Sequence, residues 1–225
     1  MITGLLGKKL GMTTFFDQDG NAIPATVLEI GPCVVIQVKN EKNDGYNAIQ
    51  VGFDEKRLKS TNQTLLGHFQ KAGITPKKFV MEILIPKGAK TEFKAGQVIK
   101  FSDVFNVGDI VDVIGWTKGR GFQGVFKRWG MHGSDGAHGT HEYFRHGGSI
   151  GTHTKIGRVL KGTKMPGHLG NERVTMENLK ILEAHPDQDL VLVKGSVPGA
   201  KNGYLILRLS VKKPRKVSAE KKSAA

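Results

Sequence analysis

A single cysteine stands in the 225-residue chain, so no disulfide can form within it, and a reducing compartment suits it. That residue, Cys33, lies in the apolar run Cys33-Val34-Val35-Ile36. It reads as a buried core thiol, because a reactive one needs exposure and a basic neighbour. No apolar run approaches the length of a membrane span, and the first residues lack the basic-then-apolar pattern of a secretory signal. Neither a membrane nor export is expected. Ser134, Ser149 and Ser196 sit in no G-x-S-x-G context, and no pair of carboxylates shares a recognisable motif. No enzyme, no cofactor and no small-molecule substrate is therefore expected.

The most telling shortage is of acidic residues, 20 against 34 Lys and Arg, and it is local. Residues 1–110 carry a net +3 and residues 174–207 a net −1, whereas 116–173 carry +7 and 208–225 carry +6. Charge that served solubility alone would be spread over the surface. Concentrated in two segments, it points to a polyanion, most simply nucleic acid.

What is abundant lies in the same place. Residues 116–173 hold 14 of the 30 glycines and 6 of the 8 histidines. Between Gly130 and Ile156 no apolar period of 2 or 3.6 residues is found, so this stretch is not expected to pack a core of its own. A long structureless loop inside a patterned domain is usually functional. With about 20 residues running each way, such an arm reaches at most roughly 65 Å. It is expected to find its folding partner outside the chain.

Elsewhere the chain reads as strands. Thr13–Phe16, Ala25–Ile30, Cys33–Lys39 and Tyr46–Phe53 alternate between turns such as Asp19-Gly20-Asn21 and Asn43-Asp44-Gly45, whose residues accept positive φ. Thr61–Lys71 reads as a short helix and Lys78–Ile85 as a strand. Ala95–Ile99, Gly108–Gly115, Arg173–Glu183, Leu190–Lys194 and Tyr204–Val211 return to strands. The expected class is mainly β, an antiparallel barrel or sandwich with a small inserted α+β piece. The boundaries are 1–54, 96–115 and 174–211 for barrel strands, 55–95 for the insertion, 116–173 for the arm and 212–225 for a basic tail.

Gly119-Arg120-Gly121-Phe122-Gln123-Gly124 spells a dinucleotide fingerprint, but no βαβ pattern follows it. Glycine beside cations also suits close approach to phosphates. His132, His138, His141, His146 and His153, spaced 6, 3, 5 and 7 apart, match no common zinc pattern and suit stacking or phosphate contact better. Trp116, Phe122, Phe126, Trp129, Tyr143 and Phe144 interleave with Lys118, Arg120, Lys127, Arg128 and Arg145, an arrangement fit for stacking on bases. Val125, Phe126 and Trp129 equally fit a short helix that packs inward. A general single-strand RNA binder and a histidine-metal hydrolase are the competing readings.

Three segments carry a resemblance. Gly119–Val125 with Lys127-Arg128-Trp129, then Gly148-Ser149-Ile150-Gly151, then Lys161-Gly162-Thr163-Lys164-Met165-Pro166-Gly167-His168-Leu169-Gly170-Asn171-Glu172-Arg173, resemble the bacterial form of the large-subunit ribosomal protein L-three family. Gly4–Thr13, Gly67-His68-Phe69 and Val193–Gly199 are similar to it as well, in the family's order. The resemblance implies a six-stranded barrel of the translation-protein type with a small α+β insertion and a long extended central arm. It implies a cytoplasmic, ribosome-bound structural protein that binds large-subunit rRNA near its 3′ end, nucleates assembly and sends its arm toward the peptidyl-transferase centre. Neighbours similar to L-fourteen and L-nineteen are implied too. Carried onto this sequence, the rRNA contacts fall on Lys8, Lys9, Lys118, Arg120, Lys127, Arg128, Trp129, Arg145, His146, Ser149 and His153. They continue through Lys155, Arg158, Lys161, Lys164, His168 and Arg173 to Lys212, Lys213, Arg215 and Lys216 in the tail. Many members carry a side-chain-methylated glutamine after Ser-Ile-Gly. Thr152 stands there in this chain, so that modification is not expected.

Overall fold

The computed structural model describes residues 2–85, 93–152 and 155–213. They fall into two units, Met1–Trp116 with Arg173–Ala225, and Thr117–Glu172.

The first unit is built on a six-stranded antiparallel sheet. Its strands are β1 (Gly4–Phe16), β2 (Ala22–Ile30), β7 (Ile110–Trp116), β10 (Arg173–His185), β11 (Leu190–Lys194) and β12 (Tyr204–Leu209). They pair in the order β1-β12-β7-β10-β11-β2, and β2 pairs back onto β1, so the ring of pairings closes. β1 makes this possible. Its first half bonds β12 while its longer second half bonds β2, with a register shift between Lys9 and Gly11 that bends the strand. Two glycines let the neighbours come close: a Cβ on Gly4 would lie 2.7 Å from the Leu207 carbonyl oxygen, and one on Gly7 2.5 Å from that of Glu29. Alternate residues then fill the interior, among them Leu5, Leu28, Val113, Val191 and Leu207, all fully buried.

The second sheet of this unit corrects the expectation for 1–54 and 96–115. β3 (Cys33–Lys39), β4 (Ala48–Glu55), β5 (Lys77–Leu84) and β6 (Val98–Ile99) form a separate four-stranded sheet in the order β5-β4-β3-β6. The reason lies in hydrogen-bond supply. β2 is already paired along one edge by β1 and along the other by β11, so the strand that follows it finds no free edge. β3 and β4 therefore pair with each other, β4 also with β5 of the 55–95 region and β3 with the short β6. Two short helices, α1 (Glu41–Asp44) and α2 (Gln63–Lys71), lie in its connections.

Aromatic rings tie the two sheets together. Phe79 of β5 stacks on Tyr204 of β12 at 5.0 Å, and meets Trp116 of β7 edge-on at 6.0 Å. The Tyr204 hydroxyl donates to Asp54 at 2.7 Å, and the Lys78 ammonium lies 2.9 Å from the same carboxylate. Burial and the Asp54 hydrogen bond push the Tyr204 hydroxyl up to about 12. Cys33 is fully buried, with its thiol on the Leu6 carbonyl at 3.4 Å, and burial pushes it up to about 12. It is the core thiol that its apolar run suggests.

A buried carboxylate fixes the last strand. Asp112 of β7, 2% exposed, accepts from the backbone N–H of Asn178 at 3.1 Å and of Val211 at 3.4 Å, and lies 3.4 Å from the Arg208 guanidinium. Asn178 sits at φ +58 in a register shift of β10, a conformation asparagine tolerates better than most residues.

Candidate nucleic-acid interface

The second unit begins where β7 ends and returns where β10 starts, and Trp116 and Arg173 are paired across that gap. Its two ends run side by side. Thr117 N–H donates to Glu172 O at 3.0 Å and Arg120 N–H to Leu169 O at 2.9 Å. β8 (Gly121–Gln123) then pairs β9 (Gly167–Leu169), with Phe122 opposite His168. Gly170 is required here, because at φ +78 a Cβ would run into the Lys118 carbonyl oxygen.

Beyond this ribbon comes α3 (Val125–Trp129), closed by Gly130 in the left-handed conformation that ends helices without strain. Val125 is the one buried residue among the described residues of 117–172. Phe126 is half-buried, and the Arg145 guanidinium lies 4.4 Å from the centre of its ring. Trp129 stays 42% exposed. From Met131 to Pro166 the described residues contain no strand or α-helix, as the missing period suggests. No described residue from Gly130 to Ile156 is buried, in line with the expectation that the stretch would form no core, and a few local contacts hold its turns. Ser134 N–H bonds Phe144 O at 3.1 Å, and Gly133 passes so close to the Phe126 ring that a Cβ would collide with it. Glycines at positive φ turn the chain back there without regular structure.

One carbonyl organises the far side. Met165 O accepts from Arg128 Nη1 and from Trp129 Nε1, each at 2.8 Å. This clamp was not visible in the sequence, since its partners lie 36 and 37 residues apart. Between them, Leu160 O accepts the Thr163 N–H at 3.3 Å and its hydroxyl at 2.8 Å, which makes a turn with Gly162 at φ +83 and leaves Lys161 and Lys164 exposed.

The candidate contacts divide by what already holds them. Lys118, Arg120, Lys127, Lys155, Arg158, Lys161 and Lys164 are exposed. So are Arg145, over the Phe126 ring, and His168, in the ribbon. Among the described residues of 117–172 no ion pair forms. His146 packs edge-on to Tyr143 at 5.0 Å, and the Ser149 hydroxyl donates to Gly151 O at 3.0 Å. In the first unit, Lys8 is half-buried on β1, Lys9 donates to Val197 O at 2.7 Å, and Arg173 is exposed at the start of β10. Lys212 pairs with Glu177, and the Lys213 N–H bonds the Ser210 hydroxyl at 3.1 Å. His153, Arg215 and Lys216 lie outside the described residues. Phe122, 76% exposed and flanked by Arg120, is an aromatic platform that belongs with these residues. No group of three or more His, Cys, Asp or Glu able to hold a metal occurs among the described residues.

Exposed cations with no carboxylate partner among the described residues thus lie beside exposed rings, an arrangement suited to a polyanion. Residues 34–189 match the family described as Ribosomal protein L3. The chain is 47% identical over 212 residues to the large ribosomal subunit protein uL3 of Thermotoga maritima, covering 94% of this chain and 99% of that one. It is 48% identical over 210 residues to the protein of the same name from Alkaliphilus metalliredigens, covering 93% and 98%. The chain belongs to the ribosomal protein L3 family, a family of non-catalytic structural ribosomal proteins.

Proposed function

We propose that this chain is a structural rRNA-binding protein of the large ribosomal subunit. The observation that carries the reading is the set of exposed cations in Thr117–Glu172 that no carboxylate neutralises among the described residues. Such a surface is complete only against phosphates, and each phosphate contact releases counterions from the RNA. The names of the relatives support the same partner.

In finer terms, the ring of six strands is read as a barrel of the translation-protein type, residues 116–173 as its arm and 212–225 as a basic tail. The protein binds near the 3′ end of large-subunit rRNA, helps nucleate assembly, and directs its arm toward the peptidyl-transferase centre beside neighbours similar to L-fourteen and L-nineteen. The exposed set from Lys118 to Lys164 supplies the main contacts, with Lys8, Arg173 and the tail adding to them. Lys9 and Arg128, each bonded to a carbonyl of the protein, contribute more to shape.

Sedimentation of a cell lysate, probed for this chain, tests the reading. Co-migration with the large subunit that survives a high-salt wash is expected, and material left at the top of the gradient would overturn it. Replacing Lys161 and Lys164 by Ala should flatten the salt dependence of rRNA binding by roughly 1.5 to 2 in the log–log slope. An unchanged slope would remove both residues from the phosphate contacts.

A further inference from the structure

Within Thr117–Glu172 lies an open pocket of about 570 Å³, a size usual for small-ligand sites. Its floor is Gly147 against α3, where a Cβ on Gly147 would lie 3.5 Å from a Val125 methyl and 3.9 Å from the Met131 sulfur. Ile150, Met165 and Pro166 wall it, and Arg145 and Lys164 stand in its lining as exposed cations. No lining residue is acidic.

An apolar slot beside two cations fits a ligand that is flat and apolar at one end and anionic at the other. A nucleotide has that form. The two thioethers suit the edge and face of an aromatic ring. The glycines of the lining, Gly124, Gly147 and Gly148, let a planar group approach the backbone. Arg145 is held ready by its stack on Phe126. RNA-binding proteins take up unstacked bases from single-stranded segments in this way. We propose that the cavity receives one unpaired nucleobase of the bound RNA, seated against Met131 and Met165, with its flanking phosphates on Arg145 and Lys164. The proposal rests on the rRNA-binding reading and gives it a base-reading element beside its phosphate contacts.

The full chain, labelled with carbon-13 at its methionine methyls, would be titrated with a short single-stranded RNA of mixed sequence. The control is a strand of equal length with ribose and phosphate but no bases. The Met131 and Met165 methyls should shift upfield with the first strand and not with the second, while Met12 and Met81 stay in place. Gly147→Leu, which fills the slot, should abolish those shifts and weaken RNA binding by roughly tenfold while the salt slope is kept. Ile150→Ala, at a wall residue that is 55% exposed and so dispensable for folding, should reduce the shifts and guards against misfolding of the first variant. Equal shifts with the baseless strand, or unmoved methyls while the RNA binds, would overturn the base slot and leave the rRNA reading standing. Shifts produced by an apolar peptide and not by RNA would overturn it in favour of a protein occupant. If neither strand binds at all, the slot fails, while the rRNA reading is decided by the sedimentation test.

Discussion

Cations are treated differently in the two units. In the sheet unit Lys39 meets Glu82 at 2.8 Å, Lys78 meets Asp54 at 2.9 Å, and Arg208 lies against the buried Asp112. In Thr117–Glu172, nine Lys and Arg face three acids, and no ion pair forms among the described residues. Burial divides the same way: the two sheets enclose many fully buried side chains, while the second unit buries Val125. The first unit thus carries its own electrostatic and apolar partners. The second has hydrogen bonds that shape its turns, but its cations have no carboxylate partner among the described residues. A local excess of cations without acidic partners therefore singles out a candidate interface more sharply than net charge alone.

Amide exchange would sharpen that comparison most. In the free protein, strand amides such as Leu207 should exchange at least a thousandfold more slowly than those of 131–152, since local opening costs far less than global unfolding. Comparable protection in both would show that the arm is as self-sufficient as the sheets. Next in size, Leu207→Ala should lower stability by about 2–5 kcal/mol, because the residue is fully buried in the ring. Val125→Ala should leave that main thermal transition where it is, and a common shift would mean that the two units unfold as one. Asp112→Ala should cost about 1–3 kcal/mol, measured by denaturant unfolding, as Arg208 and two backbone N–H groups lose their acceptor.

The smallest effect is one of pH. Tyr204 is held up at about 12, above the ordinary tyrosine value near 10. Its contribution is whole below about pH 10 and is lost as pH rises through the window from about 10 to 12. Asp54 works in the opposite direction. Burial raises its carboxyl, but the hydrogen bonds from Lys78 and Tyr204 outweigh that and hold it below the ordinary range. Its contribution is present above the unfolded value and lost as pH falls through the folded one. Ultraviolet titration should show a late tyrosine ionisation near 12, and Asp54→Asn should bring it back toward 10. A late ionisation that Asp54→Asn leaves unmoved would break the Tyr204–Asp54 link.

Local signals were legible in the sequence where local chemistry decides. The turns at Gly20 and Gly45 fall where Asp-Gly pairs put them, both at positive φ, and Cys33–Lys39 and Leu190–Lys194 are strands with the expected bounds. Partner choice was not legible. That β3 joins β4 and not β2 depends on both edges of β2 being occupied by strands far away in sequence. The first strand was cut short at Thr13–Phe16 because Gly4, Gly7 and Gly11 look like breaks, while two of them are sites of close strand approach. In the arm, residue types and charge were legible, and so was the lack of strand and α-helix among the described residues from Met131 to Pro166. Which cations are free was not, because the bonds of Lys9 to Val197 and of Arg128 to Met165 join distant residues.

The pairing of β1 with β12 also sets an order of events during synthesis. Leu5 and Leu207 are opposite each other in the ring but about 200 residues apart in the chain. At cellular elongation rates that gap takes roughly 10 to 40 s to make. The whole of Thr117–Glu172 leaves the ribosome within that interval. A newly made chain therefore presents its cationic segment to surrounding RNA before the sheet that carries it is able to close.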